Sequence, residues 1–168
     1  MIWYVLVIEA IVFAVIFTII VFVTYSGDRI YRPECIHNYP PDIQEEYFKT
    51  HERMDVSYKS KKVIMAKSLG IVVFTVILVI CAKLAGATTF WEGFFVSFGL
   101  MVWIGLYDTL FLDWVLFANM KRFRLEGTEH MDKAYHQKWF HLKGIIFPGI
   151  LFALIPATIV GLFISLMR

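Results

Sequence analysis

The sequence lacks the short motifs that mark the common soluble enzyme classes. It contains no GxSxG nucleophile motif, no phosphate-binding P-loop and no dinucleotide glycine motif, so serine hydrolase, NTPase and Rossmann functions have no support. The zinc-protease motif HExxH is also missing. The two cysteines, Cys35 and Cys81, form no CxxC pair, so we expect reduced thiols of minor structural importance. There is no NxS/T sequon, internal repeat or low-complexity tract.

Apolar residues are present in excess. Of the 168 residues, 59% are hydrophobic, and the mean hydropathy is +0.67. The excess lies in blocks long enough to cross a bilayer, which needs about 20 mostly apolar residues. These blocks are Ile2–Thr24, Val63–Leu84, Phe90–Ala118 and Gly144–Met167. The sequence therefore predicts an all-α integral membrane protein, one domain over residues 1–168 with four transmembrane helices.

The basic residues are divided unevenly between the two ends of these helices. The long loops 25–62 and 119–143, together with Lys67, hold fourteen of the sixteen Lys and Arg residues, against Lys83 and Arg168 at the other end. By the positive-inside rule both loops are cytoplasmic and both termini lie outside. The first block has no basic start and contains Glu9, so we expect a retained helix, not a cleaved signal. The predicted location is a cell membrane, as in the cytoplasmic membrane of a prokaryote.

Each loop is predicted to contain one short amphipathic helix. The pair Pro40-Pro41 stops any helix from running through it, and a helix from about residue 42 to 55 should follow. Its apolar side would carry Ile43, Tyr47 and Met54, lying on the membrane surface or on the other loop. The second loop helix would have one apolar face, made of Met131, Tyr135, Trp139 and Leu142.

The predicted partners are lipids and a second copy of the chain. Lys121, Arg122 and Arg124 follow the third block, where anionic lipid headgroups would lie. Small residues recur every fourth position in the fourth block and allow close helix approach, as a homodimer seam or as packing within one bundle. These residues are Gly149, Ala153, Ala157 and Gly161. Pro148 and Pro156 should bend this helix. No cofactor and no nucleic-acid partner is predicted.

The third block carries two aspartates, Asp108 and Asp113, among apolar residues. An ionised aspartate near the centre of a span costs roughly 2.5–3.5 kcal/mol, so both should face protein or water. An α-helical wheel places them in one sector of about 140°, opposite a bulky apolar side. The sector contains Gly105, Asp108, Thr109, Leu112, Asp113, Leu116 and Asn119.

The carboxylates fall at successive depths. From the cytoplasmic end, Asp113 would lie about 9 Å deep, Asp108 about 16 Å and Glu9 about 24 Å. This order suggests a route for protons or a small cation, with Asp108 as the central titrating or binding group. Thr109 would lie along this route, Asp113 and Asn119 would form its cytoplasmic mouth, and Glu9 its outer end.

A structural interpretation of the same groups stays open. Lys67 has a depth of about 8 Å and could pair with Asp113, while Glu9 could lie in the outer interface or reach Lys83. An aspartyl dyad of Asp108 and Asp113 is disfavoured, because residues five apart on an α-helix point about 120–140° away from each other.

The loops suggest an enzyme as the alternative. All five histidines lie there, and a site for a lipid or isoprenoid-like substrate could combine His51 with Asp132 and His136. No helix offers a full set of metal ligands, so no metal is predicted, and solvated or headgroup-level histidines are favoured. A third class is an accessory protein, which would have a dry core with its polar groups paired.

Overall fold

The computed structural model describes residues 1–24, 33–53 and 61–167. Within these ranges the chain is helical and contains no strand, which confirms the predicted all-α class. The α-helices are α1 (Trp3–Thr24), α2 (Pro41–Tyr47), α3 (Lys61–Leu84), α4 (Phe90–Tyr107), α5 (Asp132–Tyr135), α6 (Lys138–Gly144) and α7 (Ile150–Leu166). Short 3₁₀ turns cover Pro33–Asn38 and Lys121–Phe123, and π-type segments cover Asp108–Phe117 and Ile145–Gly149.

Three helical stretches have the length and composition needed to cross a membrane. They are Trp3–Thr24, Phe90–Phe117 and Asp132–Leu166. The apolar part of α3, Ser68–Leu84, is shorter. The Lys67 side chain, a predicted partner of Asp113, lies outside the described residues.

The first and last described residues meet the α3–α4 turn at one end of the bundle. The amide of Ile2 donates to the carbonyl of Ala85 at 2.8 Å, and Lys83 Nζ donates to the carbonyl of Met167 at 3.5 Å. The turn needs Gly86, whose φ is +79°. Thr89 and Glu92 then form a capping box that starts α4. The two long loops lie at the opposite end of the bundle, the loop end.

The main core joins α3, α4 and α7 in the half of the bundle away from the loops. Its buried centre includes Leu78, Val96, Leu100, Val160 and Ile164. Two glycines allow the backbones of α4 and α7 to approach closely. A Cβ on Gly93 would lie 3.3 Å from the Cα of Gly161, and a Cβ on Gly161 would lie 2.9 Å from the Phe90 ring and carbonyl. The small residues of α7 therefore pack inside one chain.

We expect Gly161→Ala to destabilise the bundle by about 1–3 kcal/mol, because the added methyl overlaps the Phe90 carbonyl. Gly99→Ala is the matched control in α4, since a Cβ there meets no atom within 4 Å. Helix propensity alone should make that control neutral or slightly stabilising. Thermal unfolding in mild detergent measures both, and equal midpoints would contradict the close α4–α7 contact.

A second core lies at the loop end, where the two loops pack on each other. It buries Tyr39 and Ile43 from the first loop against Phe117, Phe123 and Tyr135. The Tyr39 hydroxyl donates to the carbonyl of Phe123 at 3.1 Å. Of the two placements predicted for the first loop helix, packing on the other loop is the observed one.

Both loop helices are shorter than predicted. Helix α2 ends at Tyr47, and residues 54–55 of the predicted helix lie outside the described residues. The second loop helix is divided into α5 and α6. Tyr135 on α5 is only 1% exposed, whereas Trp139 on α6 is 68% exposed, so the single apolar face predicted for them was wrong. Burial of Tyr135 in the loop core overrides the helical spacing.

Candidate functional site: a polar cavity at the loop end

The segment that carries both aspartates is wound more widely than an α-helix. Over Asp108–Phe117 the backbone is π-type, and the amide of Ala118 donates to the carbonyl of Asp113, five residues back. In such a segment residues five apart come onto nearly the same face. Asp108 and Asp113 therefore lie on one side, as in the predicted sector, but at a smaller angle to each other than the 120–140° of α-helical spacing. π-type turns inside helices occur frequently at functional sites.

The wide turn also changes which later side chains face inward. The α-helical wheel is right as far as Leu112, which is buried, and Phe111, which is exposed. Beyond that point Phe117 is buried and Asn119 is exposed, the reverse of the predicted order. The Asn119 amide donates to the carbonyl of Val115 at 2.8 Å, so it caps its own helix and does not line the cavity.

A second irregular segment faces the first. Phe147 has an extended backbone, with φ −149° and ψ 123°, between α6 and α7. Pro148 favours this conformation, since a proline disfavours the helical region for the residue before it. The predicted bend at Pro148 is thus a true break, whereas Pro156 lies inside α7. Irregular backbone within an apolar bundle is tolerated where it is buried in protein or lines a cavity.

A cavity of about 700 Å³ lies between these two segments. Its polar lining comes from Asp108, Thr109 and Asp113 on one side and His141 on the other, with His37 and Asn38 from the first loop. The rest of the wall is apolar and includes Phe17 and Ile20 of α1 and Ile150 of α7. Among the described residues, no lysine or arginine lines it. Its charge is therefore set by two carboxylates and the histidines.

Asp113 is paired with a histidine. Its Oδ2 lies 2.9 Å from Nδ1 of His141, and the His141 side chain is only 8% exposed. His141 Nε2 is buried without a hydrogen-bond partner in the described chain. This partner was missed, because His141 had been placed among the loop histidines. Its position three residues before the predicted fourth span was the available signal.

Asp108 has no such partner. Its carboxylate makes no hydrogen bond or ion pair with the described residues, and its charged neighbours are Asp113 and His141. Thr109 beside it is 2% exposed and lines the same cavity. Asp108, Thr109 and Asp113 thus line one cavity, in which the Asp108 carboxylate is unpaired among the described residues.

Glu9 lies apart from this cavity. It is buried on α1 beside the thiol of Cys81 on α3 and does not line the cavity. Lys83, its predicted alternative partner, bonds the Met167 carbonyl instead. Glu9 and Asp108 therefore do not share this cavity.

The three loop residues suggested for an enzyme site do not gather into one cluster among the described residues. His51 stacks on Tyr47 with ring centroids 4.0 Å apart. His136 Nδ1 lies 2.7 Å from the backbone carbonyl of Asp132, whose carboxylate pairs with Arg124 at 2.7 Å. Across residues 1–24, 33–53 and 61–167, no group of three His, Cys, Asp or Glu side chains could hold a metal ion.

The predicted headgroup residues differ in their surroundings. The Arg124 side chain is 8% exposed, donates to the carbonyls of Ala118 and Glu129, and lies 4.2 Å from the Tyr135 ring centroid. Its guanidinium is thus occupied by protein contacts. Lys121 and Arg122 are exposed, so the headgroup prediction stays with them.

Comparison of the chain with protein-family models, curated proteins and solved structures finds no match.

Proposed function

We propose that this chain is a membrane protein of four spans that couples or passes a proton or a small cation through Asp108. The observation that carries the proposal is the cavity, which gathers an unpaired carboxylate and the Asp113–His141 pair with no Lys or Arg among its described lining residues. An unpaired carboxylate in an apolar bundle is costly unless it is protonated or binds a cation. Intramembrane carboxylates of this kind mark ion and proton sites.

The membrane arrangement is part of the proposal. Helix α3 supplies the fourth span, and the basic loops place the loop end in the cytoplasm, with both termini outside. Lys121 and Arg122 then meet anionic headgroups. The helices turned to lipid carry exposed apolar residues, such as Ile19 on α1 and Phe163 on α7. A homodimer is also proposed. Ala153, Ala157 and Gly161 of the predicted seam are buried within one chain, so they are not available to a second copy in this conformation.

Coupling fits the geometry better than a permanently open channel. The cavity joins residues of the loop end to Asp108, whereas Glu9 does not line it. Helix α1 is held on α4 by Thr18 Oγ1, which lies 2.8 Å from the Tyr107 hydroxyl, and by Trp103 Nε1, which donates to the Ala10 carbonyl at 3.0 Å. Transfer to Glu9 requires these contacts to separate. In the proposed orientation this arrangement corresponds to an inward-open state. Release of the ion towards Glu9 would be a later step.

Proton and cation flux into proteoliposomes tests the proposal. Asp108→Asn should lower flux at least fivefold, because the amide keeps the side-chain shape but can neither carry a titrating proton nor balance a cation. Asp132→Asn is the matched control, since that carboxylate is 76% exposed and lies outside the cavity. Flux equal to that of empty liposomes in the wild type would overturn the proposal, as would unchanged flux in Asp108→Asn.

One observation favours an enzyme as the second candidate. His37 and His141, from different loops, line the same cavity as the carboxylates, beside an apolar wall. A carboxylate–imidazole pair can serve as a general base, and the wall would hold a lipid or isoprenoid chain. Mass spectrometry of inner-membrane lipids incubated with wild type and with His141→Phe would show a product absent from the variant. The accessory class is less favoured, because it predicts a dry core with paired polar groups.

A further inference from the structure

The cavity is much larger than a bare cation requires. Its volume is about 700 Å³, whereas one water occupies about 30 Å³. Sites for small organic ligands have volumes of about 300–1,000 Å³ and mostly apolar walls with a few placed polar groups. The wall here follows that pattern, with its carboxylates gathered on the π-type segment and apolar side chains on α1 and α7.

The cavity also separates two helices. Helix α1 packs mainly on α4, and α7 packs on α4 and α3. Yet both line the cavity, through Ile20 on α1 and Ile150 on α7. These two residues are 50% and 43% exposed, although they also face the cavity. Residues that line a cavity and are also exposed are what a side opening between two helices requires, and both residues here are apolar.

The charge of the lining favours a positive ligand. Asp113 is matched by His141 when the imidazole is protonated, and an ionised Asp108 then leaves one negative charge that only the imidazole of His37 could offset within the described lining. With a neutral imidazole the two carboxylates leave two negative charges. In either state an anion would meet a repulsive carboxylate, whereas a cation would be attracted.

We infer that the cavity takes an amphipathic organic cation, which enters from the inner leaflet through the opening between Ile20 and Ile150 and places its charged head at Asp108. The inference rests on the proposed role of Asp108 and names the class of substrate. The apolar tail would lie along the wall formed by Phe17 and Ile150. A small inorganic ion would use only the polar end of the same space.

Binding to the purified full-length protein in lipid nanodiscs tests this. The probe is labelled tetraphenylphosphonium, with empty nanodiscs subtracted and the neutral triphenylphosphine oxide as a comparison of similar size. Wild-type protein should bind the cation at least tenfold more tightly than the neutral compound. Octyltrimethylammonium should compete at least tenfold better than tetramethylammonium, because both carry the same head and only one has a tail.

Three variants locate the site. Asp108→Asn should reduce the preference for the cation at least tenfold. Ile150→Trp should weaken binding at least fivefold by narrowing the side opening. Leu151→Trp is the matched control, since Leu151 is 48% exposed but does not line the cavity, and its affinity should stay within twofold.

The outcomes separate this inference from the proposed function. Flux that depends on Asp108, together with no saturable binding of tetraphenylphosphonium, would overturn the inference and leave the proposed function standing. Equal competition by the octyl and tetramethyl ions would also overturn it. Cation binding that requires Asp108 in a protein without flux would support the ligand class and overturn transport.

Discussion

Asp113→Leu is expected to lower the free energy of unfolding by about 2–3 kcal/mol, because it leaves His141 without its acceptor. The His141 ring is 8% exposed, and its Nε2 already lacks a partner, so the substitution leaves both ring nitrogens unsatisfied. His141→Phe should cost less, about 1–2 kcal/mol, since the Asp113 side chain is 22% exposed and faces the cavity. A carboxylate in that position can hydrate or take up a proton.

A double-mutant cycle separates the pair from its surroundings. Asp113→Leu with His141→Phe should be less destabilising than the sum of the single changes, with a coupling of at least about 1 kcal/mol. Asp113→Asn is the conservative control and should restore most of the stability, because the amide can still hydrogen bond to His141 Nδ1. Thermal or denaturant unfolding in one detergent measures all four variants. Strict additivity would show that the 2.9 Å contact does not contribute to stability.

Cation binding by the same variants tests whether His141 also balances the charge of Asp113. If His141 compensates Asp113 electrostatically, His141→Phe should strengthen the attraction of the cavity for tetraphenylphosphonium, even though it destabilises the fold. A merely structural histidine would lower stability and binding together. Opposite signs of the two effects are therefore the specific signature of a charge-balancing residue.

Local sequence rules account for much of the helical framework. Apolar runs predict where α1, α4 and α7 lie, because a long and mostly apolar stretch has few other stable conformations in a bilayer. The wheel of the third block is right up to Leu112, and the break at Phe147 agrees with the local steric effect of Pro148. These features depend on residues close together in the sequence.

The geometry of the site depends on contacts between residues far apart in the sequence, which local sequence rules do not predict. The π-type turn reduces the angle between Asp108 and Asp113 and moves Phe117 inward, and α-helical spacing predicts neither change. The partner of Asp113 is His141, 28 positions later, so its identity depends on how α6 packs against the π-type segment. The aspartates among apolar residues predicted the position of the site along the chain. They did not predict which side chains would contact them.

The surroundings of Arg124 also could not be predicted from local sequence rules. A basic residue after a span predicts a headgroup contact, yet the fold of the second loop encloses its guanidinium. We expect Arg124→Met to lower the free energy of unfolding by about 3 kcal/mol, since it removes a charged donor from the buried Ala118 carbonyl and a cation from the Tyr135 ring. The ion pair with Asp132 adds little, because that carboxylate is 76% exposed.

Two controls test whether burial is the cause. Arg122→Met changes the same residue type in the same segment, but Arg122 is exposed and, among the described residues, bonds only the Phe22 carbonyl at 3.3 Å besides its ring contacts. Its cost should be about 1 kcal/mol or less, as should that of Asp132→Asn. Unfolding in detergent gives all three values. Equal losses for the two arginines would contradict an enclosed guanidinium. A large loss confined to Arg124 would show that the loop core, which supplies Phe117 to the cavity wall, is held in place by this one cation.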